Sequence, residues 1–246
     1  MRYLVLSDVH ANLEALEACL GGAAEHKYDN TLVLGDVVGY GADPNDVIKC
    51  IQDLKPAAIV RGNHDKIAID LAEADDFNAT ARHAARWTFN ALTEPNRQWL
   101  AALPKGPLDV DDLIQICHGS PFDEDAYIFD ELDALRALKT ATRPLCLFGH
   151  THAPVTFYLA SGNLGADQPT GIEASLTIED GVNYLLNPGS VGQPRDGDPR
   201  AAYAIVDTGT RTVEMYRLDY QVEAAQKKII AAGLPEVLAR RLSSGR

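Results

Sequence analysis

The sequence predicts an α/β fold, an α+β sandwich of two packed β-sheets flanked by helices. Three observations predict it. The first part of the chain alternates apolar strand-like runs with amphipathic helical runs, in the order βαβαβ. Beyond residue 152 the runs become strands with no helix between them until about residue 220. Five of the strand-like runs end abruptly in Asp, Asn or His. Alternating strands and helices build parallel sheets with helices outside, and successive strands build antiparallel ones.

Residues 2–7 form the first strand, followed by Asp8-Val9-His10. A helix comes next, with Leu13, Leu16 and Leu20 on one face, Asn12 placed as its N-cap and Gly21-Gly22 as its end. Residues 31–34 form a second strand ending in Gly35-Asp36, and the turn-rich Gly39-Tyr40-Gly41-Ala42-Asp43-Pro44 leads into a helix over 45–54. The third strand, 57–60, delivers Arg61-Gly62-Asn63-His64-Asp65. Residues 67–103 read as a helical insertion, unbroken over 77–92 and closed by Pro104 and Pro107. A strand over 113–117 leads to His118, a helix covers 129–138, and a strand over 145–148 delivers Gly149-His150-Thr151-His152. Strands follow at 155–159, 173–178, 182–186, 201–206 and 212–218. The tract 162–171, rich in Gly, Asn, Asp and Pro, is expected to be a mobile surface loop. A C-terminal helical segment runs from about 220, with a break at Gly233-Leu234-Pro235. Its Leu234, Leu238 and Leu242 form an apolar stripe expected to pack on the body of the protein, with a dimer contact as the alternative. With no linker, repeat or low-complexity tract, residues 1–246 read as one domain.

A formal net charge of −13 argues against stable, nonspecific nucleic-acid binding, which needs Lys and Arg against phosphates. It leaves a phosphate substrate open, because bound divalent cations supply local positive charge that the count omits. Cys19, Cys50, Cys117 and Cys146 form no CxxC pair and sit among apolar residues, as buried thiols in a reducing compartment do. There is no secretion-signal pattern and no apolar run of membrane-spanning length, so the expectation is a cytoplasmic protein with no membrane partner. The oligomeric state is left open.

The strand ends carry the chemistry. Asp8 with His10, Asp36, Asn63 with His64, His118, and His150 with His152 account for five of the seven histidines. In α/β sheets, ligands collect beyond the carboxyl ends of strands, so strands far apart in sequence can bring these groups to one rim. In extended backbone residues i and i+2 point the same way, which would let Asp8 and His10, or His150 and His152, face one ion together. The donors are nitrogen and oxygen with no thiolate. That favours Mn, Fe, Zn, Co or Ni, and is too rich in histidine for Ca or Mg alone. The candidates exceed what one ion needs, so two ions at the strand C-terminal ends is the economical reading. A pair of metals can clamp a phosphate and activate water for in-line attack.

Together, Asp8-x-His10, Gly35-Asp36, Gly62-Asn63-His64-Asp65, His118 and Gly149-His150-Thr151-His152 resemble the five motifs of the calcineurin-like metallophosphoesterases. Asn187-Pro188-Gly189-Ser190 resembles a further motif of the small bacterial phosphodiesterase branch. The resemblance implies that Asp8, His10 and His152 hold one metal, that Asn63, His118 and His150 hold the other, and that Asp36 bridges them. It makes His64 the catalytic residue facing the substrate, stabilising the transition state or protonating the leaving oxygen. It implies two divalent ions per chain, manganese first and Fe, Zn, Co or Ni otherwise. The activity implied is hydrolysis of a small phosphodiester or nucleotide by attack of metal-bound hydroxide, dinucleoside polyphosphates included.

One departure shapes that expectation. Phosphoprotein phosphatases of this superfamily carry Gly-Asp-x-Val-Asp-Arg-Gly at the second motif, where this chain has Gly35-Asp36-Val37-Val38-Gly39-Tyr40-Gly41. The second acid and the arginine are absent, which places a phosphoprotein or phosphomonoester phosphatase second. A binding scaffold of the same fold comes third, since every ligand position is filled. His64 is left without its usual acidic partner, with Asp65 and Asp43 as candidate replacements. Candidate substrate contacts are Asn12 at a helix N-terminus, Arg61 and Arg195. The aromatics Trp87, Phe89 and Trp99 of the insertion read as core, with a base-binding wall as the alternative.

Overall fold

The computed structural model describes residues 1–74 and 77–246, so residues 75 and 76 of the expected helical insertion lie outside the described residues. Strands β1 (Arg2–Leu6), β2 (Asn30–Val33) and β3 (Ala58–Ile59) are separated by helices α1 (Leu13–Glu25) and α2 (Pro44–Leu54). A single helical turn, α3 (Asn63–Ile67), follows β3 directly, and α4 (Ala79–Ala91) and α5 (Glu94–Ala101) fill the insertion. The short strand β4 (Leu108–Asp109) precedes β5 (Ile114–Ile116), α6 (Glu131–Thr140) and β6 (Leu145–Leu147). Then come β7 (Val155–Ala160), β8 (Asn163–Asp167), β9 (Glu173–Thr177), β10 (Val182–Asn187), β11 (Ala201–Asp207) and β12 (Thr212–Leu218). Helices α7 (Val222–Ala231) and α8 (Glu236–Leu242) end the chain.

The strands form two mixed six-stranded sheets, in the orders β3-β2-β1-β11-β12-β9 and β4-β5-β6-β10-β7-β8. Within them β1, β2 and β3 are parallel, as are β5, β6 and β10. The period-2 alternation of β1 shows how the layers arise. Tyr3 and Val5 point into a core shared with Ile114, Ile116, Leu145, Leu147 and Leu186 of the other sheet. Leu4 and Leu6 point the other way, into a core with Leu16, Cys19, Ile48 and Ile51 of α1 and α2. The outer face of the second sheet packs against Ala134, Ala137 and Leu138 of α6. The two-sheet sandwich flanked by helices is therefore present, and the parallel strands of both sheets bring their carboxyl ends to a common rim. Among the described residues, no helix is long and apolar enough to cross a membrane.

Two local expectations are corrected. Gly21-Gly22 does not end α1, which continues to Glu25. A side chain at Gly22 would meet Leu218 Cδ1 at 2.3 Å, so the glycine lets the helix lie close on β12. The tract 162–171 contains an edge strand, β8, paired antiparallel with β7 and with Gly165 opposite Tyr158. The Tyr158 ring lies across the glycine and supplies the packing that glycine lacks. The C-terminal leucine stripe packs as expected: Leu234, Leu238 and Leu242 are buried with Tyr40, Ala81, Ala225 and Ile229.

Candidate metal centre

Seven side chains predicted as ligands converge at the rim. Asp8, His10, Asp36 and His152 place one ligand atom each within 4.8 Å of one another, and Asp36, His118 and His150 do the same beside them. Asp36 belongs to both groups. Asn63 joins the second, its Oδ1 lying 3.1 Å from His118 Nε2. All of these except Asn63 are buried.

The backbone route to this cluster differs from the expectation. Strands β1 and β6 stop at Leu6 and Leu147, so neither Asp8/His10 nor His150/His152 lies on extended strand. Asp8 (φ 53°), His10 (φ 50°), His150 (φ 68°) and His152 (φ 58°) are instead left-handed, as is Asp36 (φ 52°). Non-glycine residues in that region are uncommon and carry a conformational cost that the surrounding structure must hold in place. Here it is held by backbone bonds between ligand loops: Asp8 N donates to Gly35 O at 3.1 Å and His10 N to Asp36 O at 2.9 Å. The Asn187 to Ser190 segment completes the scaffold. Asn187 Nδ2 donates to Gly149 O and Thr151 Oγ1, and Ser190 Oγ donates to Asp8 O.

The histidines are oriented through their second nitrogen. His10 Nδ1 meets Val38 O at 3.2 Å, His118 Nδ1 meets Leu34 O at 2.8 Å, and His152 Nδ1 meets Gln193 O at 2.7 Å. A carbonyl only accepts, so each Nδ1 carries a proton; Nε2 of His10 and His152 presents a lone pair inward, and Nε2 of His118 does so once the proton it shares with Asp36 is displaced. His150 is reversed, with Nε2 donating to Asp125 O at 3.1 Å and Nδ1 left as the donor atom. Metal-ligating histidines are characteristically fixed in this way. The fit to a cation follows from two strained contacts. His10 Nε2 and His152 Nε2 face each other at 3.1 Å, lone pair to lone pair. Among the described residues Asp36 Oδ2 is buried without a hydrogen-bond partner, 3.5 Å from His10 Nε2 and 3.4 Å from His118 Nε2. A buried carboxylate oxygen among nitrogen lone pairs is costly unless positive charge joins them.

The titration behaviour agrees. Burial holds His10 and His152 well below the ordinary histidine range. Burial lowers His150 to about 3, with the charge of His118 adding to it. Burial would raise Asp36, but His118, His64 and His10 around it outweigh that and keep it ionised. Burial also opposes protonation of His118, yet the Asp36 carboxylate overrides it and raises His118 to about 10. A proton on His118 thus serves Asp36 when no cation does, and a cation entering the site displaces it. Asp8 is pushed up to about 6 by burial, moderated by His118.

His64 sits at the start of α3, with its backbone N–H donating to Asp36 Oδ1 at 2.9 Å. Among the described residues no carboxylate orients its ring, and Nδ1 is buried without a partner. Asp65 does not fill that role. Its Oδ1 accepts from Val38 N at 3.1 Å and its Oδ2 from Gly62 N at 2.9 Å, which caps α3 and ties it to the loop after β2. Asp43 is bound by Lys228. The place of the missing acid is taken by the ring itself. A side chain at Gly39, φ +94°, would meet His64 Nδ1 at 2.6 Å. His64 is held by ring packing, tilted against Tyr40 at a centroid distance of 4.2 Å and Phe77 at 4.8 Å and edge-on to His10 at 5.0 Å.

The candidate substrate contacts separate. Asn12 is consumed structurally: its Oδ1 accepts from Ala15 N, and its Nδ2 donates to Gly192 O and Tyr220 Oη. Arg61 gives Nε and Nη2 to Glu124, each at 3.0 Å. Arg195 does stand at the metal cluster. Its backbone N–H donates to His152 O, and Nη2 lies 3.2 Å from Gln193 Oε1 and 3.5 Å from Tyr40 Oη. Its charge adds to burial in keeping His152 neutral. Trp87 packs, half-buried, against the C-terminal core cluster and Trp99 against the first core, as expected, while Phe89 lies beneath Arg97 and His83 is exposed on α4. The aromatics that line the site are Tyr40, Phe77 and Tyr127, the last stacked on His150 at 3.8 Å. Sequence reasoning missed all three as site residues. The Gly39-Tyr40-Gly41 tract was visible as a turn, but nothing local marked its tyrosine.

A buried nitrogen–oxygen cluster at the shared rim of two mixed sheets is a donor set suited to divalent metal ions. The chain belongs to the calcineurin-like phosphoesterase superfamily, whose domain model matches residues 1–211. It is 35% identical over 250 residues to an uncharacterised protein of Methanocaldococcus jannaschii, covering 98% of this chain and 97% of that one. Its fold is similar to that of a metallophosphoesterase from Sphaerobacter thermophilus, with a TM-score of 0.88, 39% identity, and coverage of 100% and 99% of the two chains. A hypothetical protein from Pyrococcus horikoshii shares the fold at 20% identity, with a TM-score of 0.80 and coverage of 100% and 98%.

Proposed function

We propose that this metallophosphoesterase hydrolyses small phosphodiesters and nucleotides with two divalent ions per chain, manganese first, and that dinucleoside polyphosphates are among its substrates. The observation that supports this reading best is the position of Asp36 Oδ2, shared between a His10/His152/Asp8 group and a His118/His150/Asn63 group. When bound, the ions would polarise phosphoryl oxygens and lower the pKa of a water from about 15.7 towards 7. The chain's own groups do the rest. Asp8, His10 and His152 would hold one ion and Asn63, His118 and His150 the other, with Asp36 available to both. His64 meets the substrate with its second nitrogen and steadies charge on the leaving side. Arg195, which among the described residues has no carboxylate partner, takes a phosphate oxygen. Four free cysteines suit work in a reducing cytoplasm.

The second motif without its acid and arginine favours diesters over phosphoproteins. Initial rates on bis(p-nitrophenyl) phosphate, p-nitrophenyl phosphate and diadenosine tetraphosphate with manganese-loaded enzyme test this. Preference for the monoester would overturn it. Arg195→Met is expected to raise KM about 10- to 100-fold with a smaller change in kcat, as loss of one hydrogen bond to a charged group predicts. An unchanged KM would remove Arg195 from the site.

A further inference from the structure

The loop that follows His118 is tied down on both sides of the ligand cluster. Glu124 accepts from Arg61 and pairs with Lys66, Lys66 also pairs with Asp125, and the Asp125 carbonyl accepts from His150 Nε2 at 3.1 Å. These contacts set Tyr127 against the second ligand group. Its ring stacks on His150 with centroids 3.8 Å and planes 25° apart, and Phe129 covers the other face at 4.8 Å and 8°. With both faces covered, what Tyr127 presents to its surroundings is its edge, which carries the hydroxyl. The residue is 41% exposed, and with Asn63, Phe77 and His150 it lines a cleft of about 330 Å³ beside the cluster. Burial raises the hydroxyl above the ordinary tyrosine range; the Arg195 guanidinium opposes that shift, and the Asp36 and Asp8 carboxylates add to it. The Tyr127 hydroxyl is thus a neutral O–H donor within reach of Arg195 and of both ligand groups. Tyr40 stands in the matching place on the first group. Its ring centroid is 4.8 Å from His10, and its Oη lies 3.5 Å from Arg195 Nη2. One tyrosine therefore packs on a histidine of each ligand group, and Arg195 acts on both hydroxyls.

We infer that the Tyr127 hydroxyl is a substrate contact, donating to a non-bridging phosphate oxygen beside Arg195, and that the His150–Tyr127–Phe129 stack holds it in position. The inference rests on the phosphoesterase reading above and deepens it by adding a second phosphate contact from the chain itself. A side chain immobilised before the ligand arrives loses no rotamer freedom on binding, so a donor held between two rings is better placed than one on a free side chain. A fixed donor aimed at a charged oxygen also needs no reorganisation when the phosphate binds.

The test is Tyr127→Phe, which keeps the ring and its stack and removes only the hydroxyl. Manganese-loaded wild type and variant are compared by calorimetric binding of orthophosphate and by kinetics on bis(p-nitrophenyl) phosphate, with ion content from elemental analysis. The variant is expected to keep its ions, to bind orthophosphate about tenfold more weakly, and to show a KM raised about tenfold with a smaller change in kcat, as loss of one hydrogen bond to a charged group predicts. Phe129→Ala, which frees the outer face of the ring, is expected to weaken orthophosphate binding about threefold in the wild type and to have no effect in the Tyr127→Phe background, because its influence passes through the hydroxyl. Orthophosphate binding and KM within twofold of wild type in Tyr127→Phe overturn the inference and leave the phosphoesterase reading intact. So does loss of ions from Tyr127→Phe, which would assign the hydroxyl to the metal site, and so does an equal effect of Phe129→Ala in both backgrounds. A fully loaded wild type that neither binds orthophosphate nor turns over any phosphate ester overturns both readings.

Discussion

Asp36→Asn is expected to give a folded protein that retains fewer than one ion per chain and turns over more than about a thousandfold more slowly. The substitution keeps the shape of the side chain, and its remaining oxygen can still accept from His64 N, as Asp36 Oδ1 does at 2.9 Å. What changes is the atom now 3.5 Å from His10 Nε2 and 3.4 Å from His118 Nε2. A carboxylate oxygen there is an acceptor among lone pairs and requires a cation. An amide N–H₂ is a donor, satisfies the His10 lone pair itself, brings no negative charge to His118, and excludes the cation. Loss of transition-state charge stabilisation by metal is worth several kcal/mol, at about 1.36 kcal/mol per factor of ten. Elemental analysis after purification without chelator, with kcat on a diester, checks both halves. Near-wild-type ion content would show that Asp36 is not the shared ligand. Thermal unfolding without added metal should be little changed, because the substitution also removes a buried charge.

The layered architecture was legible because it rests on periodicity. Alternation along β1 and the 3.6-residue stripe of α1 report directly which face is buried, and seven of the predicted ligands fell at strand ends for the same topological reason. The conformations that aim those ligands were not legible. Asp8, His10, Asp36, His150 and His152 adopt left-handed backbone that their residue types do not announce. Only the mesh of bonds from Gly35, Asn187 and Ser190, distant in sequence, makes it tenable. The same limit explains Asn12 and Asp65. Each looked chemically available, and each is consumed by backbone N–H groups that the fold brings alongside. Tyr127 was invisible for a complementary reason. An exposed aromatic in a loop carries no periodic signal, and its meaning comes from the ring of His150 beneath it.

His64→Ala is expected to leave ion content unchanged and to lower kcat about 10²- to 10⁴-fold, the range for loss of a positioned acid–base or hydrogen-bonding group, with little change in KM. No atom of the imidazole is needed to hold a ligand: the contact between His64 and Asp36 is made by backbone N–H, which alanine retains. Nor, among the described residues, does ring Nδ1 have a polar partner to lose, since it is buried without one. What it does have is a cage of rings, with Tyr40 and Phe77 tilted against it and His10 edge-on. In this chain those rings fix the imidazole where an acid would otherwise do so, and Gly39 leaves them the space. Orientation by packed rings rather than by an acid leaves the imidazole neutral, in keeping with burial that lowers its pKa to about 4. It then acts as a hydrogen-bond donor towards developing negative charge. His64→Gln, which retains a side-chain N–H, should therefore recover part of the lost turnover, whereas a histidine needed as a proton donor could not be replaced this way. Loss of metal from His64→Ala would instead mean that the ring supports His10, and the residue would belong to the metal site rather than to the substrate.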